Sequence, residues 1–151
     1  GTLYEPLVVE KVVDKEGQII YSSHTRVKRK INIPHRVLDP IRKALWGVVN
    51  EPLGTGIRAR LPSIDVAGKT GTAQTVAIRK GEEEKSDFNL RDHAWFVCYA
   101  PFRNPEVAVV VIVEHGGKGG KVAAPIARQI LEEYFRITRQ YENKQKIIAK
   151  Y

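Results

Sequence analysis

The stretch Ile64-Asp65-Val66-Ala67-Gly68-Lys69-Thr70-Gly71-Thr72-Ala73-Gln74 decides the reading of this chain. It follows a loop, Leu53 to Ser63, that carries Gly54, Gly56 and Pro62, and it predicts a strand at about Ile64 to Val76. Successive side chains on a strand alternate faces, so Thr70 and Thr72 point the same way and Lys69 the other way unless the strand twists. An amine and two hydroxyls on one strand make an edge suited to reading an anion. Gly71 between them lets a wall or a ligand approach the backbone closely. The Lys-Thr-Gly triplet is unspecific on its own; its setting in Ala67 to Gln74 is far more specific.

Outward from this strand the chain divides into recognisable segments. Residues 1–33 form a hairpin region, in which Leu7 to Val13 and Gln18 to Ser22 flank the turn signal Asp14-Lys15-Glu16-Gly17. Residues 34–52 predict a helix, with Asp39-Pro40 as its cap and first turn, Ile41, Leu45, Val48 and Val49 on one face, and Asn50-Glu51-Pro52 at its end. The sheet strands fill 64–114. Within that span Ala77 to Asp92 is a polar connection, exposed or a mobile flap, and Pro101 to Glu106 is a proline-bearing turn between the strands His93–Ala100 and Val107–Glu114. Continuous apolarity over Val107 to Val113 predicts a strand covered on both faces. A C-terminal helix over 122–138 places Ile126, Ile130, Tyr134 and Ile137 at helical spacing, as the face expected across the sheet. The basic tail, 139–151, is expected as a frayed extension of that helix, with a partner-binding segment as the alternative. An antiparallel sheet flanked by helices, an α+β fold, follows from this order.

Composition bounds the function. The 151 residues are 42% hydrophobic, enough for one core. Twenty-five Lys and Arg against 17 Asp and Glu give a formal charge of +8, which raises the question of an anionic partner. The basic residues are scattered, and no interleaved aromatics or zinc spacing accompany them, so nucleic acid is not expected. Arg26, Lys28, Arg29 and Lys30 suit a solvated strand edge. The single Cys98 excludes an internal disulfide framework and is expected as an inert buried thiol. No apolar run reaches the length of a membrane span. The absence of methionine gives the expectation that Gly1 is not a translation start.

Other motifs carry less. The run Gly116-Gly117-Lys118-Gly119-Gly120-Lys121 evokes a phosphate loop, but His115 stands where Walker A needs glycine, and Val122 where it needs Ser or Thr. A flexible strand-to-helix turn is the better account. His93 beside Asp92 does not make a metal site; it is expected to orient the strand start. His24, His35 and His115 have no partner at ligand spacing. No metal or cofactor is expected.

Ala67 to Gln74, together with Gly1 to Pro6, Leu90-Arg91-Asp92-His93-Ala94-Trp95-Phe96, Tyr99-Ala100-Pro101, Val109 to His115 and Val122 to Ala127, resembles the penicillin-binding proteins, specifically the class B transpeptidases of the rod-elongation type. That family uses Ser-x-x-Lys, Ser-x-Asn and Lys-Thr-Gly in chain order. Here only the third is present. Three residues after Ser22, Ser23, Ser63 and Ser86 stand Thr25, Arg26, Val66 and Asn89, and two residues after them His24, Thr25, Asp65 and Phe88.

The resemblance therefore implies the C-terminal portion of a serine-type D-Ala-D-Ala transpeptidase domain with a partial β-lactamase-like fold, its nucleophile upstream, and no activity by itself. It implies that Lys69, Thr70, Gly71 and Thr72 form one side of the site: Thr70 and Thr72 receive the substrate carboxylate, Lys69 adds charge and bonds the serine of Ser-x-Asn, and the Thr72 N–H is one of two oxyanion-hole donors. The implied partners are peptidoglycan stem peptides, β-lactams, the rest of the same domain, a SEDS-type glycan polymerase and elongation-complex proteins. The implied location is the periplasmic face of the bacterial inner membrane, with the anchor outside this chain. Rival readings are a non-catalytic β-lactam sensor or scaffold of the same fold, a β-lactamase, and a basic nucleic-acid-binding module.

Overall fold

A computed structural model describes residues 1–75 and 91–148, with side chains as far as residue 140. Most of the polar connection at 77–92 and the Tyr141, Gln145, Ile148 side chains of the tail thus lie outside the described residues. The chain divides into two compact units, Gly1–Asp39 and Pro40–Tyr151.

The first unit consists of two small antiparallel sheets. Strand β1 (Thr2–Tyr4) pairs with β4 (Val27–Lys30), and β2 (Lys11–Val13) pairs with β3 (Ile19–Ser22). The β2–β3 turn is built as its residues require. The Asp14 carboxylate accepts from the Glu16 and Gln18 N–H groups at 3.0 and 2.7 Å, and Gly17 takes a φ of 83°. The ladder starts only at Lys11, so Leu7 to Glu10 stays outside the expected strand. Every residue of these four strands is exposed, the basic run in β4 included.

Helix α1 (His35–Asn50) begins four residues before the predicted cap, which places Pro40 inside it. Pro34 takes the opening role instead: its ring presets the first turn, and its carbonyl accepts from the Val37 and Leu38 N–H groups. Of the predicted face, Val49 is buried and Val48 packs against the core, whereas Ile41 is exposed.

The second unit holds the sheet. Strands β5 (Ala67–Ala73), β6 (His93–Ala100) and β7 (Val107–Val113) are antiparallel in the order β5-β6-β7. Two expectations change here. First, β7 is covered on one face: Val109 and Val111 are buried, while Val110 and Ile112 are exposed among the described residues. Second, helix α2 (Gly119–Ile148) starts earlier than predicted, and its backbone continues helically through most of the tail. Its inward stripe is Ala123, Ala124, Ala127, Leu131 and Phe135, all buried. Ile126, Ile130 and Ile137 of the predicted face are exposed, and Tyr134 packs at the margin of the core. The physical reason is distance. Three alanines let the helix backbone sit close to strand β6, where isoleucines would hold it away. No helix among the described residues is long and apolar enough to cross a membrane.

Pro125 lies inside α2 and has no N–H for the Lys121 carbonyl four residues earlier. That carbonyl accepts from the Arg58 guanidinium at 3.1 Å. Arg58 belongs to the 3-10 turn Ile57–Ala59, so the loop before β5 is tied to the helix under the sheet.

Candidate active site

The middle of β5 is held from three sides. From α1, the Asn50 amide donates to the carbonyls of Trp46 and Val66, both at 2.8 Å, which fixes where the chain turns into the strand. From the preceding loop comes Gly54-Thr55-Gly56. A Cβ on Gly54 would overlap the Val48 carbonyl, and one on Gly56 would lie 2.9 Å from the Phe96 ring. Between these glycines, Thr55 Oγ1 stands 3.0 Å from Thr70 Oγ1. From α2, a Cβ on Gly119 would overlap the Trp95 and Gly71 carbonyls, and one on Gly120 the Thr55 carbonyl. The glycine run expected as a turn thus also seats the start of α2 against the backbone of β5 and β6.

Within β5 the register sets Thr70 opposite Phe96, Gly71 opposite Trp95 and Thr72 opposite Ala94. Thr70 shares the face of the buried Phe96 and is half-buried; Lys69 and Thr72 are exposed. The Lys69 ammonium donates to the Thr70 carbonyl at 2.7 Å. Strand β5 is terminal in its sheet among the described residues, so Lys69 to Thr72 line an edge. A Cβ on Gly71 would come within 3.1 Å of the Trp95 Cβ, so any side chain there crowds the indole.

Thr55 was not among the residues predicted for the site. Its local signal is only a threonine between two glycines, and the contact spans 15 residues of sequence. His115 has no partner at ligand spacing in the sequence, and the structure places it beside His93. The His115 N–H donates to His93 Nδ1 at 2.9 Å, and the rings lie 4.8 Å apart. Nδ1 of His93 is therefore the acceptor nitrogen, and the neutral ring carries its proton on Nε2. His115 takes a φ of 53°, which turns its N–H back toward β6. Nearby, the Gly117 N–H donates to the Asp92 carbonyl at 2.8 Å. His93 and the β7–α2 turn thus lock together at the end of the sheet where Ala73 leaves the motif. Among the described residues no three His, Cys, Asp or Glu side chains form a metal-binding group.

Cys98 lies on β6 opposite Gly68, 2% exposed. Burial pushes its thiol from 9.0 up to about 11, against a smaller lowering from the Val109 backbone. Because the folded value lies above the unfolded one, the protonated thiol favours the folded state below pH 9, and that preference is lost as the pH rises from 9 toward 11. Iodoacetamide at pH 8 is expected to leave Cys98 unmodified in the folded protein and to alkylate it in denaturant. Rapid alkylation under native conditions, read by mass spectrometry, would contradict this environment.

Residues 1–132 match the penicillin binding protein transpeptidase domain family. The chain belongs to this family. The peptidoglycan D,D-transpeptidase MrdA of Salmonella typhimurium is 34% identical over 118 residues, which is 71% of this chain and 19% of that protein. MrdA of Haemophilus influenzae is 40% identical over 100 residues, 64% of this chain and 15% of that protein. The crystal structure of the D,D-transpeptidase domain of a peptidoglycan glycosyltransferase from Eggerthella lenta superposes with a TM-score of 0.70 at 29% identity, covering 91% of this chain and 29% of that one. The matched part of the chain therefore spans only 15 to 19% of the length of these curated relatives. The three-stranded antiparallel sheet with α2 across it is a partial penicillin-binding fold.

Proposed function

We propose that this chain carries the Lys-Thr-Gly side of a peptidoglycan D,D-transpeptidase active site, and that the serine nucleophile is supplied by a segment outside residues 1–151. The carrying observation is the β5 edge itself. Lys69 and Thr72 are exposed on it, Thr70 is anchored beside them, and its backbone is pressed into place from beneath by glycines. A site assembled on such an edge is preorganised, which is what stabilising a developing charge requires.

The roles follow from chemistry. A peptide ending in D-Ala-D-Ala offers a carboxylate, to which the Thr70 and Thr72 hydroxyls donate. Lys69 supplies the positive charge beside it and meets the serine of Ser-x-Asn. Residues two apart on a regular strand turn their backbone groups to the same edge. The Thr70 carbonyl is reached by the Lys69 ammonium, which supports a Thr72 N–H on the same edge as the donor to an oxyanion. Gly71 keeps the approach open over Trp95. None of the four serines has Lys three residues on or Asn two residues on, so the attacking hydroxyl and its lysine base come from elsewhere. The substrates are stem peptides of peptidoglycan and, as mimics, β-lactams. The location is extracytoplasmic, at the periplasmic face of the inner membrane, with the rest of the domain, a glycan polymerase and elongation proteins as partners.

The test is D-alanine release from a pentapeptide ending in D-Ala-D-Ala by the full-length gene product that contains this segment. Release that penicillin abolishes is the expected result. Acylation by penicillin without any peptide turnover would instead identify a β-lactam sensor, and neither activity would overturn the acyl-transfer reading.

A further inference from the structure

We propose that Thr55 is a positioning residue for this site: it donates its hydroxyl proton to Thr70 Oγ1 and thereby turns the Thr70 proton outward, toward the carboxylate of the bound substrate or β-lactam. The proposal rests on the acyl-transfer reading above and adds to it a residue outside the Lys-Thr-Gly motif.

Three observations carry it. The two hydroxyl oxygens are 3.0 Å apart, a hydrogen-bond distance. Each hydroxyl has one proton, so only one of the two can donate in this pair. If Thr70 donated to Thr55, its proton would be spent inside the protein and its lone pairs would face the incoming anion, which is repulsive. An anion at the edge therefore selects the arrangement in which Thr55 donates and Thr70 points its proton out. The choice of donor is made by the ligand, and Thr55 makes the productive choice possible.

The second observation is that Thr55 is exposed but its backbone is clamped. The Gly54 N–H donates to the Glu51 carbonyl at 2.9 Å and the Gly56 N–H to the Val48 carbonyl at 2.9 Å. Gly56 abuts the buried Phe96 ring, and Gly120 of α2 sits directly against the Thr55 carbonyl. A solvent-facing loop threonine with no task needs no such support on both sides. The third is that a Cβ placed on Gly120 would also lie 3.4 Å from the Thr70 methyl. One helix start thus backs both members of the pair, so their separation is set by rigid elements.

The experiment uses the full-length gene product carrying Thr55→Val, which keeps the shape and removes the hydroxyl, and Thr55→Ser, which restores it. Penicillin acylation of the valine variant is expected to fall about tenfold, the scale of one hydrogen bond that orients a group toward a charge, and serine is expected to recover most of the rate. The loss is expected to shrink to within about twofold when the β-lactam carboxylate is esterified, and in a Thr70→Val background, because the pair then has nothing to orient. A merely structural Thr55 would slow the free acid and the ester alike. Wild-type acylation by Thr55→Val, or an equal loss with the ester, overturns the proposal. A Thr55→Val protein that fails to fold leaves the decision to Thr55→Ala, for which a parental rate, or an equal loss with the free acid and the ester, overturns the proposal. If the unaltered protein is not acylated at all, the acyl-transfer reading itself has failed.

Discussion

Replacing Lys69 by alanine in the full-length gene product is expected to slow acylation by penicillin by about two to three orders of magnitude, the loss typical of removing a charge that faces an opposite charge in a partly desolvated site. Two effects act together. The side chain removed is the cation next to Thr70 in the strand, and on the proposed reading an anion docked at the Thr70 and Thr72 hydroxyls loses its compensation. The same ammonium holds the Thr70 carbonyl at 2.7 Å, so the strand edge loses an anchor beside the Thr72 N–H proposed as an oxyanion donor. Lys69→Arg is expected to restore only part of the rate, because a planar guanidinium fork spreads its charge and does not put a point charge in the same place. Lys69 is exposed, so the variant should keep the unfolding midpoint of the parent within the small range typical of surface changes. Stopped-flow acylation is the measurement, and a rate within about threefold of the parent, below the loss of a single neutral hydrogen bond, would mean that Lys69 is not part of the site.

Phe96→Ala is expected to cost about 3–5 kcal/mol of stability in the domain that contains this chain. Phe96 is fully buried on the central strand, and its ring fills the space that Gly56 and Gly68 leave open: a Cβ on either would lie within 2.9 Å of it. Neither glycine can relax into the vacated volume with a side chain of its own, so the cavity stays. The consequence reaches the site, since Gly56 fixes Thr55 and Thr70 lies opposite Phe96 in the sheet register. Phe96→Leu should cost markedly less, because most of the volume remains. Urea denaturation followed by circular dichroism reads the difference, and a loss below about 1 kcal/mol would contradict the packing described.

Much of this arrangement was legible in the residues. The motif strand needed only local chemistry, as did the Asp14 to Gly17 turn and the two apolar strands after it. Long-range geometry was the harder part. The face of α2 was misassigned because isoleucines carry a stronger apolar signal than alanines, whereas close helix-to-sheet packing selects the small residue. Pro40 looked like a helix start because proline favours first turns; that Pro34 serves this role is a fact about the whole helix. The two-sided cover expected for β7 followed from composition alone, which does not record what packs on each face. Thr55 and His115 stayed invisible for a single reason. Each meets its partner across a fold, at separations of 15 and 22 residues, where no sequence spacing rule operates.

The central claim is that this chain furnishes the carboxylate and oxyanion side of an acyl-transfer site and leaves the nucleophile to another segment. Incubating the full-length gene product with penicillin, digesting it and locating the penicilloyl group by tandem mass spectrometry tests that claim most directly. A single adduct on a serine outside residues 1–151, strongly diminished by Lys69→Ala, is the predicted result; an adduct on Ser22, Ser23, Ser63 or Ser86, or none anywhere, would contradict it.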